Sequence, residues 1–287
     1  MAEIAVFGGA NMDVLGFPQG EARLRDSNIG RVRFRPGGVG RNIAEQICAL
    51  GCRCELLTAF GADLAGQALR AACEQAGIGI AHALLTDGPS CVYLCVHDAA
   101  GDMLTAVNDM GLTARLDADY VRRVLPVIDA SALCVLDGNP PAETLALIAA
   151  NTRAPLLMDP TSVAKLDRAK AVLPRLAAIK PNIHEARALT GCQSAADCAK
   201  ALVKMGAKRV FVSLGGEGLC CADAQGCFTL PVKERLTVPA TGAGDALCAG
   251  LAVALANGEK TRTCAEEGMR AAASFLKRKE EQLCSNI

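Results

Sequence analysis

The sequence predicts a three-layer α/β domain over residues 1–287, with a mostly parallel central sheet flanked by helices and a small additional β-sheet. Two observations predict it. Short β-branched or apolar runs alternate with Ala/Leu-rich helical stretches, and strand, helix, strand at this spacing builds βαβ units and hence a parallel sheet covered on both faces. The composition, 51% apolar and 21% charged over 287 residues, is enough to bury one large core.

The strands are predicted at 4–7, 55–60, 133–136, 156–158 and 209–214. Between them, helical periodicity covers 43–50, 65–75, 119–125, 143–150, 183–189 and 195–205, and a later helix covers 246–255. A sheet of this kind binds ligands at the carboxyl ends of its strands. Two stretches break the rhythm: 16–36, and a pair of β-like runs within 90–109 separated by Asp98-Ala99-Ala100-Gly101-Asp102. They are expected to form a small β lid over the substrate.

Thirty basic and thirty acidic side chains cancel, so no global field draws the chain to nucleic acid or to an anionic membrane. The apolar run near the start stops at Gly8-Gly9, too short for a membrane span or signal peptide, and a cytoplasmic protein is expected. Fifteen cysteines, an odd number largely inside apolar runs, read as reduced core thiols. The three histidines are scattered and there is no Cys-x-x-Cys, so a zinc or thiol-redox centre has little support. The run Lys277 to Glu281 reads as a solvated helix end.

Thr241-Gly242-Ala243-Gly244-Asp245 opens the helix at 246–255. Small residues at a helix start let backbone N–H groups approach an anion where the dipole favours negative charge, and Asp245 would stand beside that cradle as a base. A glycine turn with an acidic cap is the plainer reading of the same residues. Asn182 and Glu185 stand three apart after Pro181, a spacing that suits magnesium held through waters and equally an ordinary capped helix start. Ser213, Gly215 and Gly218 end a strand, either opening room for nucleotide phosphates or forming a tight hairpin turn. Asn11 and Asp13 after the first strand, with Gly37, Gly38 and Asn42 before a helix, supply forked polar groups for a sugar's vicinal hydroxyls. Gly8-Gly9-Ala10-Asn11 lacks the G-x-G-x-x-G spacing, which argues against a dinucleotide site.

Taken in order, these segments resemble the ribokinase-like (PfkB) carbohydrate kinases over essentially the whole chain. The resemblance implies ATP and Mg2+ as cofactors and transfer of phosphate to a primary ribose hydroxyl. It implies Asp245 as base, Gly242, Ala243 and Gly244 as anion hole, Asn182 and Glu185 near magnesium, and Asp13, Gly38 and Asn42 on the ribose. Asp26-Ser27-Asn28-Ile29-Gly30 running into Gly37-Gly38-Val39-Gly40-Arg41-Asn42, with Asn108 later, is most similar to members acting on pseudouridine. Ser27 and Asn28, placed on a lid strand, and Asn108 then read the uracil edge or simply turn the chain. Kinases for ribose, inosine or adenosine are the nearest alternative and a non-catalytic nucleoside sensor a more distant one. Pro239-Ala240 stand where the family often has Asp-Thr, so the K+ site of many members is in doubt here. A homodimer formed through the lid, as in some relatives, is the partner expected beyond the nucleoside and ATP.

Overall fold

The computed structural model describes residues 3–233 and 238–284; residues 1–2, 234–237 and 285–287 of the expected domain lie outside the described residues. The N-terminal part runs β1 (Glu3–Phe7), β2 (Asn11–Pro18), β3 (Gly30–Gly37), α1 (Val39–Ala49), β4 (Arg53–Leu57), β5 (Ala59–Gly61), α2 (Leu64–Gln75), β6 (Leu84–Thr86), β7 (Val92–His97) and β8 (Met103–Asp109). An alternating part follows: α3 (Ala118–Ala130), β9 (Leu133–Asp137), α4 (Ala142–Asn151), β10 (Leu156–Asp159), α5 (Leu166–Val172), β11 (Ala178–Ile179), α6 (Ile183–Thr190), α7 (Ala195–Lys204) and β12 (Arg209–Ser213). The chain closes with β13 (Leu219–Asp223), β14 (Gly226–Leu230), α8 (Ala243–Ala256) and α9 (Thr261–Cys284).

The main sheet has the order β14-β13-β12-β11-β10-β9-β1-β4 and is parallel from β4 through β12. Alternate residues of its strands feed two cores. Phe7, Leu136, Met158 and Val212 pack on one face with residues of α3 to α7, while Val6, Val135, Leu157 and Phe211 pack on the other with α1, α2, α8 and α9. This is the expected three-layer arrangement, and burial on both faces explains why β9, Leu-Cys-Val-Leu-Asp, is apolar until its last residue.

Three features differ from the expectation. The run at 55–60 is two strands, β4 in the main sheet and β5 paired with β6, because the chain changes sheets at Thr58. The main sheet gains an antiparallel edge, β13 and β14, which alternation of strands with helices does not announce. The polar stretch after β1 is itself a strand. β2 begins at Asn11 and is one of the two inner strands of a four-stranded sheet ordered β3-β2-β7-β8.

The main sheet's parallel strands all end at one edge. Phe7, Asp137, Asp159, Ile179 and Ser213 are therefore neighbours there, and the N-termini of α1 and α8 arrive at the same edge.

Candidate active site

Two ends of the chain meet at this edge. Asn42, in the first turn of α1, donates from Nδ2 to Oδ2 of Asp245, in the first turn of α8, at 2.9 Å. Asn42 is held in turn by Arg41, a buried guanidinium that donates to its Oδ1 at 3.0 Å. An arginine has only donors and an ionised carboxylate only acceptors, so both neighbours demand the same orientation of the Asn42 amide.

Asp245 is partly buried. Burial pushes its carboxyl up to about 7, and the negative charges of Asp159 and Asp137 push the same way; the Asn42 N–H and the Lys180 ammonium pull it down. Lys180 sits in the middle of this acidic group, its Nζ 2.8 Å from Asp159 Oδ2 and 3.4 Å from the Gly244 carbonyl oxygen. A carboxylate with its pKa near neutrality, beside a helix N-terminus, is chemically placed to take a proton from an attacking hydroxyl.

Gly242 is the N-cap of α8 with φ of 90°, and a Cβ there would lie 2.7 Å from Cζ of Phe275 on α9. Only glycine fits, because the cap is left-handed and an aromatic ring fills the space a side chain would need. Ala243 and Gly244 open the helix, whose first N–H groups have no intrahelical acceptor; that of Ala243 donates to the Ala240 carbonyl oxygen at 3.0 Å.

The N-terminal loops converge on the same edge through Asp137, which is fully buried and had no place in the sequence-derived site. Its carboxylate accepts from the backbone N–H of Gly9, Gly40 and Asn139 at 2.7–2.8 Å and from the Asn139 side chain at 2.8 Å. Burial pushes this carboxyl up while the side-chain and backbone N–H groups of Asn139, the Gly9 N–H and nearby Lys165 oppose the rise. The hub fixes the β1–β2 turn against the start of α1. Gly38, with φ of 97°, completes that approach: a Cβ would lie 2.5 Å from the Gly9 carbonyl oxygen.

Beyond the turn, Asn11 Nδ2 donates to Asp13 Oδ1 at 2.7 Å, and Arg35 reaches Asp13 Oδ2 at 3.3 Å. Gly37 lies against the same carboxylate. Strand register sets Arg35, Asp13, Tyr93 and Asn108 side by side in one cross-strand row on one face of the four-stranded sheet. Asn108 thus shares a face with Asp13. Ser27 and Asn28 do not sit on a strand: they lie in the exposed β2–β3 connection. The Asn28 amide accepts from Arg23 N and donates to the carbonyls of Arg23 and Asp26, so it ties its own loop together.

Asn182 and Glu185 form a capping box at the start of α6. Asn182 Oδ1 accepts from the N–H groups of His184 and Glu185, and Glu185 Oε2 accepts from Asn182 N at 2.9 Å. Glu185 is 3% exposed, and burial, with Asp159 nearby, raises its carboxyl pKa. Ser213 ends β12, and Gly215 and Gly218 make the turn into β13. The run at 277–281 is not merely solvated, since Lys279 is half-buried and Arg278 donates to Gln46 Oε1 at 3.1 Å.

Sequence reasoning missed Asp137, Asp159 and Lys180. A signal existed: each is a charge that ends an otherwise apolar run, at the strand ends where such sheets bind ligands.

The family model for "pfkB family carbohydrate kinase" matches residues 1–287. Pseudouridine kinase of Escherichia coli is 35% identical over 258 residues, covering 87% of this chain and 82% of its own. Cytidine kinase of Thermococcus kodakarensis is 25% identical over 288 residues, 97% of each chain. Among solved structures, ribokinase from Thermotoga maritima superposes with a TM-score of 0.88 at 23% identity, covering 96% of this chain and 93% of its own, a likeness of fold. With a catalytic-type carboxylate at a glycine-capped helix and a family match along its length, the chain belongs to the pfkB family of carbohydrate kinases, sugar and nucleoside phosphotransferases that act on a hydroxyl group.

Proposed function

We propose that the protein transfers the γ-phosphate of ATP to the 5′-hydroxyl of pseudouridine. The observation that carries the reading is the hydrogen bond between Asn42 and Asp245, which joins the sugar-gripping N-terminal loops to the helix that would cradle the phosphate. Asp13 and Asn11 hold the ribose hydroxyls, with Gly37 and Gly38 giving the backbone room, and Asn42 keeps the 5′-hydroxyl in line with Asp245. Asp245 takes its proton. The amides of Gly242, Ala243 and Gly244 stabilise the charge on the transferring group, so most of the rate enhancement is positioning and electrostatics. Ser213, Gly215 and Gly218 flank the nucleotide.

Glu185 fits Mg2+ as a partner: it is a buried carboxylate raised by burial and by Asp159, a state that a divalent cation relieves. Magnesium needs only one or two protein carboxylates beside waters and phosphate oxygens. When bound it would neutralise phosphate charge, with Asn182 and Glu185 holding its waters.

The four-stranded sheet is the lid, and Asn108, on the Asp13 face, is its candidate for reading the base; the local bonding of Asn28 makes it the weaker candidate. The opposite face carries Phe34, Val14, Leu94 and Val107 in one register row, with Phe34 71% and Val107 62% exposed. Such a row supports pairing with a second copy. Sedimentation should give a dimer for the parent and a monomer for Phe34→Glu; a monomeric parent rejects the pairing. Among the described residues no helix is long and apolar enough to cross a membrane. The described cysteines are free thiols, which agrees with a reducing cytoplasm.

The substrate reading is tested by initial rates on pseudouridine, uridine, cytidine, inosine, adenosine and ribose. Pseudouridine should lead by at least about tenfold in kcat/KM, the scale of discrimination that base contacts supply. A lead for cytidine or inosine would keep the kinase and change its substrate.

A further inference from the structure

The loop that precedes the anion hole is held by a side chain from the far end of the chain. α9 packs along α8, and on its inner face Phe275 lies under Gly242. One turn later Lys279 sends its Nζ to the carbonyl oxygens of Pro239, at 2.7 Å, and Thr241, at 3.2 Å. The ammonium is half-buried and sits within the influence of Arg35 from β3, so burial and that second cation both lower its pKa.

The family resemblance raised a monovalent cation beside the anion hole, and the residues present do not fit a free one. Pro239 and Ala240 offer no side-chain oxygen. The two backbone carbonyls that flank the position already accept from Lys279. Potassium and a primary ammonium carry the same charge, have similar radii and take the same carbonyl ligands; the ammonium differs in being covalently attached.

We propose that the Lys279 ammonium is a tethered monovalent cation, which holds the 239–241 loop in the shape that presents the α8 N-terminus to phosphate and makes the enzyme independent of K+. Lys279 is a positioning residue here, acting through the loop. Its charge adds to the positive end of the α8 dipole. A tethered ion is present in every molecule at any salt concentration, whereas a free ion must be bound first. The proposal rests on the reading of that N-terminus as the phosphate site.

The test compares parent and Lys279→Met in buffers of KCl, NH4Cl, and tetramethylammonium chloride at equal ionic strength. Thermal melting and initial rate are both read. The parent should give the same Tm and the same kcat in all three. Lys279→Met should melt lower and turn over about tenfold or more slowly in tetramethylammonium, and K+ or NH4+, small enough to enter the vacated position, should restore part of both. A parent that needs K+ overturns the proposal, as does a Lys279→Met protein indistinguishable from the parent or one that K+ and NH4+ do not rescue. Should Lys279→Met fail to fold, the parent's response to K+ decides alone. Melting needs no turnover, so a parent that phosphorylates no acceptor on the panel refutes the kinase reading while the melts still answer the question about Lys279.

Discussion

Asp245→Asn is expected to lower kcat by about 10²–10⁴-fold while changing KM for either substrate by no more than about threefold. Asparagine keeps the shape and still accepts a hydrogen bond from Asn42, so binding survives; what it loses is the capacity to take a proton. The parent should show a corresponding pH dependence. With the carboxyl pushed up to about 7, kcat/KM should fall with unit slope below that pH and level off above it. In the variant that limb should vanish from the residual rate. Near-parent turnover by Asp245→Asn would remove the base from the mechanism.

The same substitution carries an opposite expectation for stability. The folded-state pKa of Asp245 is raised from 3.8, so the folded protein binds this proton more tightly than the unfolded chain does. Ionising the group therefore costs stability, a cost absent below about pH 4 that grows as pH rises and is complete above about 7. Asp245→Asn should melt above the parent at pH 8, with the difference closing toward pH 4. A variant that melts below the parent at pH 8 would mean that the carboxylate is a net stabiliser, contrary to its burial among Asp159 and Asp137.

What the sequence disclosed about this site depends on how locally each part is encoded. The α8 start was legible because Thr241 to Asp245 is contiguous and a glycine ahead of an apolar helix has a direct conformational meaning. The Gly37 to Asn42 segment was legible for the same reason. Asp137 was not, since its role is to collect N–H groups from Gly9 and Gly40, 128 and 97 residues away in sequence, which the fold brings to the end of β9. The β2 strand was hidden because only Asn11 to Val14 alternates polar with apolar, while Gly16 and Pro18 are residues depleted from strand interiors. The edge hairpin β13–β14 was readable in principle, as two short apolar runs around Ala224-Gln225, but alternation of strands and helices drew attention to parallel pairing instead. Asn28 stayed ambiguous because an amide in a loop before a glycine motif satisfies two descriptions, and its bonds to Arg23 and Asp26 show the loop-tying one.

Lys180 is the remaining long-range element, and its removal should be the most destabilising single change at the site. The Lys180–Asp159 pair is desolvated, with side-chain exposures of 7% and 5%. Burial alone would lower the ammonium's pKa, but the charge and hydrogen bond of Asp159, with the charge of Asp245, outweigh it and the pKa is raised. A raised pKa on a cation means stability that is fully present below the ordinary value of 10.5 and lost only above it, so the pair is intact throughout the neutral range. Lys180→Met leaves Asp159 charged and buried with Asp137, Asp245 and Glu185 around it. The expected loss is about 3–5 kcal/mol, a fall in Tm of roughly 6–15 °C. Adding Asp159→Leu should return most of it, because two apolar side chains of similar volume leave no uncompensated charge, whereas two independent losses would add. Lys180→Met should also move the acid limb of kcat/KM above pH 7, since Asp245 loses the ammonium that helps hold its carboxyl down. Melting curves for the two single variants and the pair, with one pH profile, separate these expectations; a Lys180→Met protein within about 1 kcal/mol of the parent would show that the acidic cluster is already neutralised by protons rather than by lysine.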